Sequence, residues 1–294
     1  MRIPFDSTTD LLTALSRTQE LQEKSLQQIS SGMRIQVASD DPAAMAQWIQ
    51  NRSRAARNDE FQHSVTALKG LLQTGDSTLN SVVLGLERAV SLGVRGATGT
   101  VSETDRAAIA EEVKGIRENL LSLANTTFQG TYIFAGCKVT TQPFTDSTDG
   151  VVYQGDTGVI ETAIGEDQQT KMNVPGDQIF CGPGAEVFSS LDKLIAGLAG
   201  NDAQVTTDAT AVVRKAFDQV TAKRVFYGNA LNQLSSAEID LDNEKLDLST
   251  RENDIAGADQ AAAISTLLNA QNARDAALAA VGKISQLSLL DYLG

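Results

Sequence analysis

The chain is short of the residues with which enzymes do most of their chemistry. Its 294 residues include one histidine, His63, and two cysteines, Cys137 and Cys181. A zinc site needs three or four His, Cys or carboxylate ligands. Neither a C-x-x-C nor an H-E-x-x-H pair occurs, so no catalytic residue, metal centre or cofactor is expected. Two cysteines this far apart are no disulfide framework; a bridge stays open, and otherwise both read as small buried apolar residues. Aromatic residues make up only 5% and prolines number five, against 41% hydrophobic residues, which suggests long helices rather than a compact enzyme core. Basic residues are also scarce, 24 against 37 acidic ones, for a net charge of −13. That balance excludes the footprint of a nucleic-acid binder and attraction to anionic membranes. No apolar run reaches the roughly eighteen residues that span a bilayer. Met1–Asp6 lacks an apolar signal core, so no cleaved secretory signal is expected; composition alone would place the chain in the cytosol.

What the sequence does have is helical periodicity. Leu12, Leu15, Gln19, Gln22, Leu26, Ile29 and Met33 recur at three- and four-residue steps, a heptad seam too narrow to fold alone in water. Asp41 reads as an N-cap and Pro42 as the first residue of the next helix. That helix runs from Ala43 to about Leu92, weakened at Gly70, Gly75 and Gly85, and a loop is expected over Gly93–Val101. Ser102-x-x-Asp105 resembles a capping box ahead of the heptad Ile109, Val113, Ile116, Leu120 and Leu123. Short strand-like runs follow at Tyr132–Gly136, Val151–Gln154, Val159–Ile164 and Thr170–Val174, separated by turn residues. Helix resumes near Ala185 and again after Gly200-Asn201-Asp202. The last segment is alanine-rich; its larger apolar residues, among them Ile264, Leu267, Leu268, Leu278, Val281, Ile284, Leu287 and Leu290, are expected on one side.

The expected fold is therefore mainly α with a β-rich insertion. It is a long antiparallel helical hairpin with a small β domain at the distal end. Five segments are expected: 1–40, 41–131, 132–184, 185–250 and 251–294. Residues 1–57 carry a net charge of +1 and residues 238–294 one of −6. Arg52, Arg54 and Arg57 are thus expected near Asp240, Asp242 and Glu244, setting register rather than affinity. Asp40-Asp41 reads as capping rather than acid–base chemistry. The acidic run from Glu238 to Asp259 lacks EF-hand spacing. Gly93-x-x-Gly96-x-x-Gly99 has no preceding strand and no following Lys-Ser/Thr, which excludes a phosphate loop.

Several stretches together resemble the bacterial flagellin family. Leu26–Ile35 with Ala38–Ala43, Leu123–Thr126, Tyr132–Gly136, Asp254–Asp259 and Lys283–Leu293 are similar to the terminal helical signatures of flagellins and flagellin-like junction proteins. The resemblance covers about the first 136 and the last 90 residues, and leaves the insertion unmatched. Within the family, Tyr132–Gly136 and the Leu287–Leu293 tail look like a junction protein between hook and filament, since flagellin more often ends in a basic residue; the filament subunit itself is the alternative. The resemblance implies that segments 1–40 and 251–294 are assembly helices, which pair as a coiled coil and order on assembly, in a ring of copies. It also implies partners: a larger hook-associated junction protein, flagellin and an export chaperone. Export through the flagellar type III channel needs no cleaved signal, so the implied location is the extracellular flagellum. The assembly interface implied is Leu12, Leu15, Leu26, Ile29 and Met33 on one helix, with Ile264 to Leu290 on the other.

Overall fold

The computed structural model describes residues 5–148, 150–182, 184 and 186–293, with side chains at 9, 10 and 12–282 of that range. The elements in order are α1 (Phe5–Ser31), α2 (Pro42–Ala97), α3 (Glu103–Ala124), β1 (Thr127–Phe128) and β2 (Thr131–Tyr132). Then come β3 (Phe144–Ser147), β4 (Gly150–Tyr153), β5 (Glu161–Ala163), β6 (Gln169–Lys171), α4 (Gly176–Phe180), α5 (Val187–Ala199), α6 (Ala203–Ala256) and α7 (Gln260–Leu293). The chain is mainly helical, with small antiparallel strand pairs β1–β2, β3–β4 and β5–β6 in an insertion. The chain divides into two compact units, Met1–Arg57 with Glu244–Gly294, and Asn58–Asn243.

In the Asn58–Asn243 unit, α2 and α6 run antiparallel. Leu72, Leu79, Val82 and Leu86 of α2 are fully buried, as are Val213, Val220, Tyr227 and Leu234 of α6. Polar pairs fix the register: Asn58 Nδ2 donates to Leu241 O at 3.1 Å, and Arg224 Nε donates to Asp76 Oδ1 at 2.7 Å. The glycines do not break α2, because each admits a neighbour. A Cβ on Gly75 would lie 2.4 Å from the Tyr227 ring, and one on Gly85 would lie 3.0 Å from Leu120. The expected loop from Gly93 is instead helix up to Ala97, since Gly93 and Gly96 let Thr210 and Leu198 pack against the α2 backbone. Half of the capping box is present: Ser102 Oγ accepts the Asp105 N–H at 3.1 Å, while the Asp105 carboxylate accepts the Ser102 hydroxyl at 2.7 Å.

The strand-like insertion shares the helical core rather than forming its own. Phe144 packs 5.1 Å from Phe180, 5.7 Å from Phe188 and 5.1 Å from Tyr153, ring centre to ring centre. Its short ladders are supplemented by side chains that bond backbone. Asn125 Nδ2 donates to Phe144 O at 2.8 Å while its Oδ1 accepts the Phe144 N–H at 2.9 Å. Asn173 does the same between Ile160 N–H and Gly158 O, at 2.9 and 3.2 Å. These contacts correct the strand boundaries. Of the expected Tyr132–Gly136 strand only Tyr132 is extended; Ile133, Phe134 and Ala135 are buried in turns ending at Gly136, φ +70°. The strand at Phe144–Ser147, which the sequence does not announce, pairs with β4. Arg117 joins α3 to β3 and α5, meeting Asp146 at 2.9 Å and Asp192 at 2.6 Å. Cys137 and Cys181 are both free, and Cys137 is exposed rather than buried.

Candidate assembly interface

The Met1–Arg57 and Glu244–Gly294 unit contains both ends of the chain, and α1 packs on α7. The pair is antiparallel: Arg274 Nη1 donates to Gln22 Oε1 at 3.4 Å, and Arg34 N–H donates to Ala256 O at 2.7 Å. Burial shows which faces meet. On α1, Ser25 is buried and Leu15, Thr18, Gln22 and Ile29 are half-buried. On α7, Ala263 and Ala270 are buried, with Leu267, Arg274 and Ala277 half-buried. Small residues at heptad spacing on both helices let the backbones approach closely. The alanine spacing could have signalled this seam; the leucines drew attention away from it.

The predicted interface therefore divides. Leu15, Ile29, Met33 and Leu267 are half-buried, on or beside the seam. Leu12, Leu26, Ile264, Leu268, Leu278 and Val281 are exposed. The side chains of Ile284, Leu287 and Leu290 lie outside the described residues. Among the described residues of α7, Ala263 and Ala270 form the buried face, Leu267 is half-buried beside it, and Ile264, Leu268, Leu278 and Val281 stay exposed.

Where α1 gives way to α2, and α6 to α7, two of the sequence signatures meet. Gly32 ends α1 with φ +69°, a conformation glycine adopts without the cost other residues meet. Met33 then bridges Gly257 in antiparallel fashion; Ala258 N–H donates to Gly32 O at 2.9 Å, and Arg34 Nη2 donates to Ile255 O at 3.0 Å. Gly257 is required sterically, since a Cβ there would lie 2.3 Å from Asn253 O. The helix break thus falls at residues 257–259 rather than 251, with Asp259 Oδ1 accepting the Ala262 N–H at 3.0 Å. Beside the bridge is a cleft of about 600 Å3 lined by Ser31–Met33, Glu252 and Ala256–Gln260.

Asp40 organises the rest of the connection. Its carboxylate accepts the Lys24 ammonium at 2.9 Å and the N–H groups of Gln36 and Val37 at 3.2 and 3.4 Å. The Lys24 bond foremost, then the two amides, hold the carboxyl below its ordinary value. Asp41 Oδ1 accepts the Ala44 N–H at 3.0 Å and Pro42 opens α2, which places both cap residues where the sequence puts them. Beyond the cap, Asn51 Nδ2 donates to Leu248 O at 2.8 Å and Trp48 Nε1 to Glu252 Oε1 at 2.9 Å. Arg52 lies over the Trp48 ring at 5.0 Å, and in the other unit Asp242 receives Gln62 at 2.7 Å. In that unit Lys69 also meets Glu238 at 2.6 Å. Among the described residues no His, Cys, Asp and Glu cluster could hold a metal, and no helix is long and apolar enough to cross a membrane.

α1 and α7, helices from opposite ends of the chain, are thus paired through small residues and leave Leu12, Leu26, Leu268 and Leu278 exposed. The profile of the bacterial flagellin N-terminal helical region matches residues 7–139 and that of the C-terminal helical region residues 210–293, and the chain belongs to the bacterial flagellin family. It is 29% identical over 287 residues to flagellar hook-associated protein 3 of Escherichia coli, covering 90% of each chain. A flagellar hook-associated protein of Vibrio parahaemolyticus has a similar structure, with TM-score 0.69 and 22% identity, covering 74% of this chain and all of that one. The flagellar junction protein of Legionella pneumophila superposes with TM-score 0.62 at 19% identity, over 72% of this chain and all of that one. The chain is a structural component of the flagellum and not an enzyme.

Proposed function

We propose that this chain forms the junction between the hook-side assembly and the flagellin filament, as a ring of copies held through α1 and α7. One observation carries the assembly reading: the α1–α7 pair uses its small residues internally and leaves Leu12, Leu26, Ile264, Leu268 and Leu278 exposed. Exposed leucines along a paired helix have apolar area still to bury, and copies of the same pair supply the complementary ridge. Similarity to hook-associated protein 3 along nine-tenths of both chains favours the junction over the filament. On this reading the partners are a larger hook-associated junction protein, flagellin and, before export, a chaperone. The net charge of −13 argues against nucleic acid or anionic membrane as partner.

Deleting residues 1–35 or 260–294 tests the proposal in a strain that depends on this chain for motility. Both deletions abolish attached filaments, while the 58–243 unit keeps its cooperative unfolding in the purified protein. Flagellin then accumulates in the medium, because its anchoring point is missing. Attached filaments in either deletion strain refute the assembly role. Loss of flagellin polypeptide itself, rather than its release, assigns the chain to the filament instead.

A further inference from the structure

Where α2 and α6 enter the Met1–Arg57 and Glu244–Gly294 unit, each leaves one large apolar side chain open: Ile49 of α2 is 56% exposed and Leu246 of α6 is 68% exposed. Their placement follows from the seam between the two helices. Asn51 Nδ2 donates to Leu248 O and Trp48 Nε1 to Glu252 Oε1, so the helices run antiparallel, with Asn51 and Leu248 buried against each other. Ile49 precedes Asn51 by two residues, and Leu246 precedes Leu248 by two. Two residues turn an α-helix by about 200°. Each apolar side chain therefore lies at the back of its own helix, and the two backs point apart. The α2 back continues through Ser53 and Ala56, four and seven residues after Ile49, and both are exposed. The α6 back continues at the same steps from Leu246 through Thr250 and Asn253, exposed as well.

The charges around the two backs are of opposite sign. Residues 42–57 carry Arg52, Arg54 and Arg57 and no acidic side chain, whereas residues 244–256 carry four carboxylates against two basic groups. Arg52 rests on the Trp48 ring at 5.0 Å, its guanidinium still exposed. Asp247 and Asp254, seven residues apart, line one edge of the α6 back. Asp247 meets Arg251 of its own helix at 2.8 Å with both side chains more than half open. Among the described residues, no hydrogen bond or ion pair within the chain engages the side chain of Arg54 or Asp254.

We propose that the α2 back of one copy docks on the α6 back of the next. The inference rests on reading the chain as a ring of copies, and adds a contact separate from α1 and α7. Because the two faces differ and point apart, the contact is head to tail and passes from copy to copy, as a closed ring requires. Asn51 is level with Leu248, so copies at one height set Ile49 opposite Thr250 and Leu246 opposite Ser53. Each large apolar side chain then meets a small one. The opposite charges decide which face meets which, since like faces brought together repel.

Disulfide trapping in isolated flagella tests the contact. Cys137 and Cys181 are first replaced by serine, and Ser53→Cys and Leu246→Cys are introduced together and singly. The two positions lie on opposite backs, whereas a disulfide needs Cα atoms within about 7 Å, so any bridge joins two copies. After mild oxidation, immunoblots of non-reducing gels show a ladder of dimers and larger species with the pair, and monomer with either cysteine alone. Ile49→Cys with Thr250→Cys is read in the same way if the first pair gives no flagella. In a second arm, Arg52→Glu with Arg54→Glu lowers the number of attached filaments about ten-fold or more, and adding Asp247→Arg with Asp254→Arg restores at least half of them. Flagella without a ladder, or a ladder from a single cysteine, overturn the contact. So does attachment that the first reversal leaves unchanged or the second fails to restore. An absent ladder beneath attached filaments leaves the junction reading standing, and failure of the deletion test leaves a ladder between copies standing.

Discussion

Replacing Leu12, Leu26, Leu268 and Leu278 together by glutamine separates assembly from folding. These side chains are 61%, 48%, 54% and 47% exposed in the isolated chain. Full burial of a leucine contributes about 1.5–3 kcal/mol, so the half still open holds about 1 kcal/mol at each position. Four positions give about 4 kcal/mol per copy on assembly, roughly a thousand-fold in the association constant. Glutamine keeps most of the helix propensity of leucine, and exposed substitutions change stability by about 0.5 kcal/mol or less. The variant chain therefore unfolds within about 2 °C of the parent while failing to anchor filaments. Thermal unfolding by circular dichroism reads the first quantity. Electron-microscopic counts of attached filaments in the complemented strain read the second. Filaments at parental frequency would show that the exposed ridge is not an interface. A large loss of stability would instead show that these leucines belong to the core of the single chain.

Two helical glycines respond to alanine with opposite sign. Gly75→Ala is destabilising by about 1–2 kcal/mol, because overpacking against the buried Tyr227 ring exceeds the gain in helix propensity, whereas Gly115→Ala, with open space around it, stabilises by about 0.5–1 kcal/mol in denaturant titrations. Asp156 Oδ1 accepts the Cys137 and Gly158 N–H groups at 2.7 and 2.9 Å, and these bonds hold its carboxyl below the ordinary value. A lowered pKa contributes stability above the ordinary carboxylate range that is lost as pH falls through the folded value, below about 4. Amide shifts of Cys137 and Gly158 report that loss on acid titration, and constant shifts down to about pH 2 would contradict it. Burial pushes the Cys181 thiol up to about 11 while Cys137 is exposed, so iodoacetamide at mildly alkaline pH labels Cys137 first; equal rates would show that Cys181 is open to solvent.

Helices, caps and family signatures were legible because each rests on a local rule. Asp41-Pro42 and Ser102-x-x-Asp105 cap helices through bonds three residues long, so the sequence shows them directly. The insertion was less legible because its order is not periodic. Phe144–Ser147 becomes a strand since Asn125, the residue capping the end of α3, bonds both backbone groups of Phe144, a contact nineteen residues long that no alternation announces. The glycines of α2 misled for a related reason. Glycine weakens an isolated helix, yet here it is the notch into which Tyr227, Leu120, Thr210 or Leu198 fits, and only the fold shows which neighbour arrives.

The α1 seam was half legible, and the half that was not bears on function. Heptad reasoning finds the apolar positions of a helix but assumes that they all meet the same partner. On α1 they do not: Leu15, Gln22 and Ile29 turn toward the alanines of α7, while Leu12, Gln19 and Leu26 remain outside and the small residues Thr18 and Ser25 take their place at the contact. A helix whose apolar sector is wider than one neighbour can cover is built for more than one neighbour. α7 carries the same property further, with an alanine face inward and Ile264, Leu268, Leu278 and Val281 exposed. The pair thus leaves apolar surface that it does not bury itself. On the proposed assembly reading that surface, rather than any weakness of local helix propensity, is what suits these two ends to a shared wall of copies.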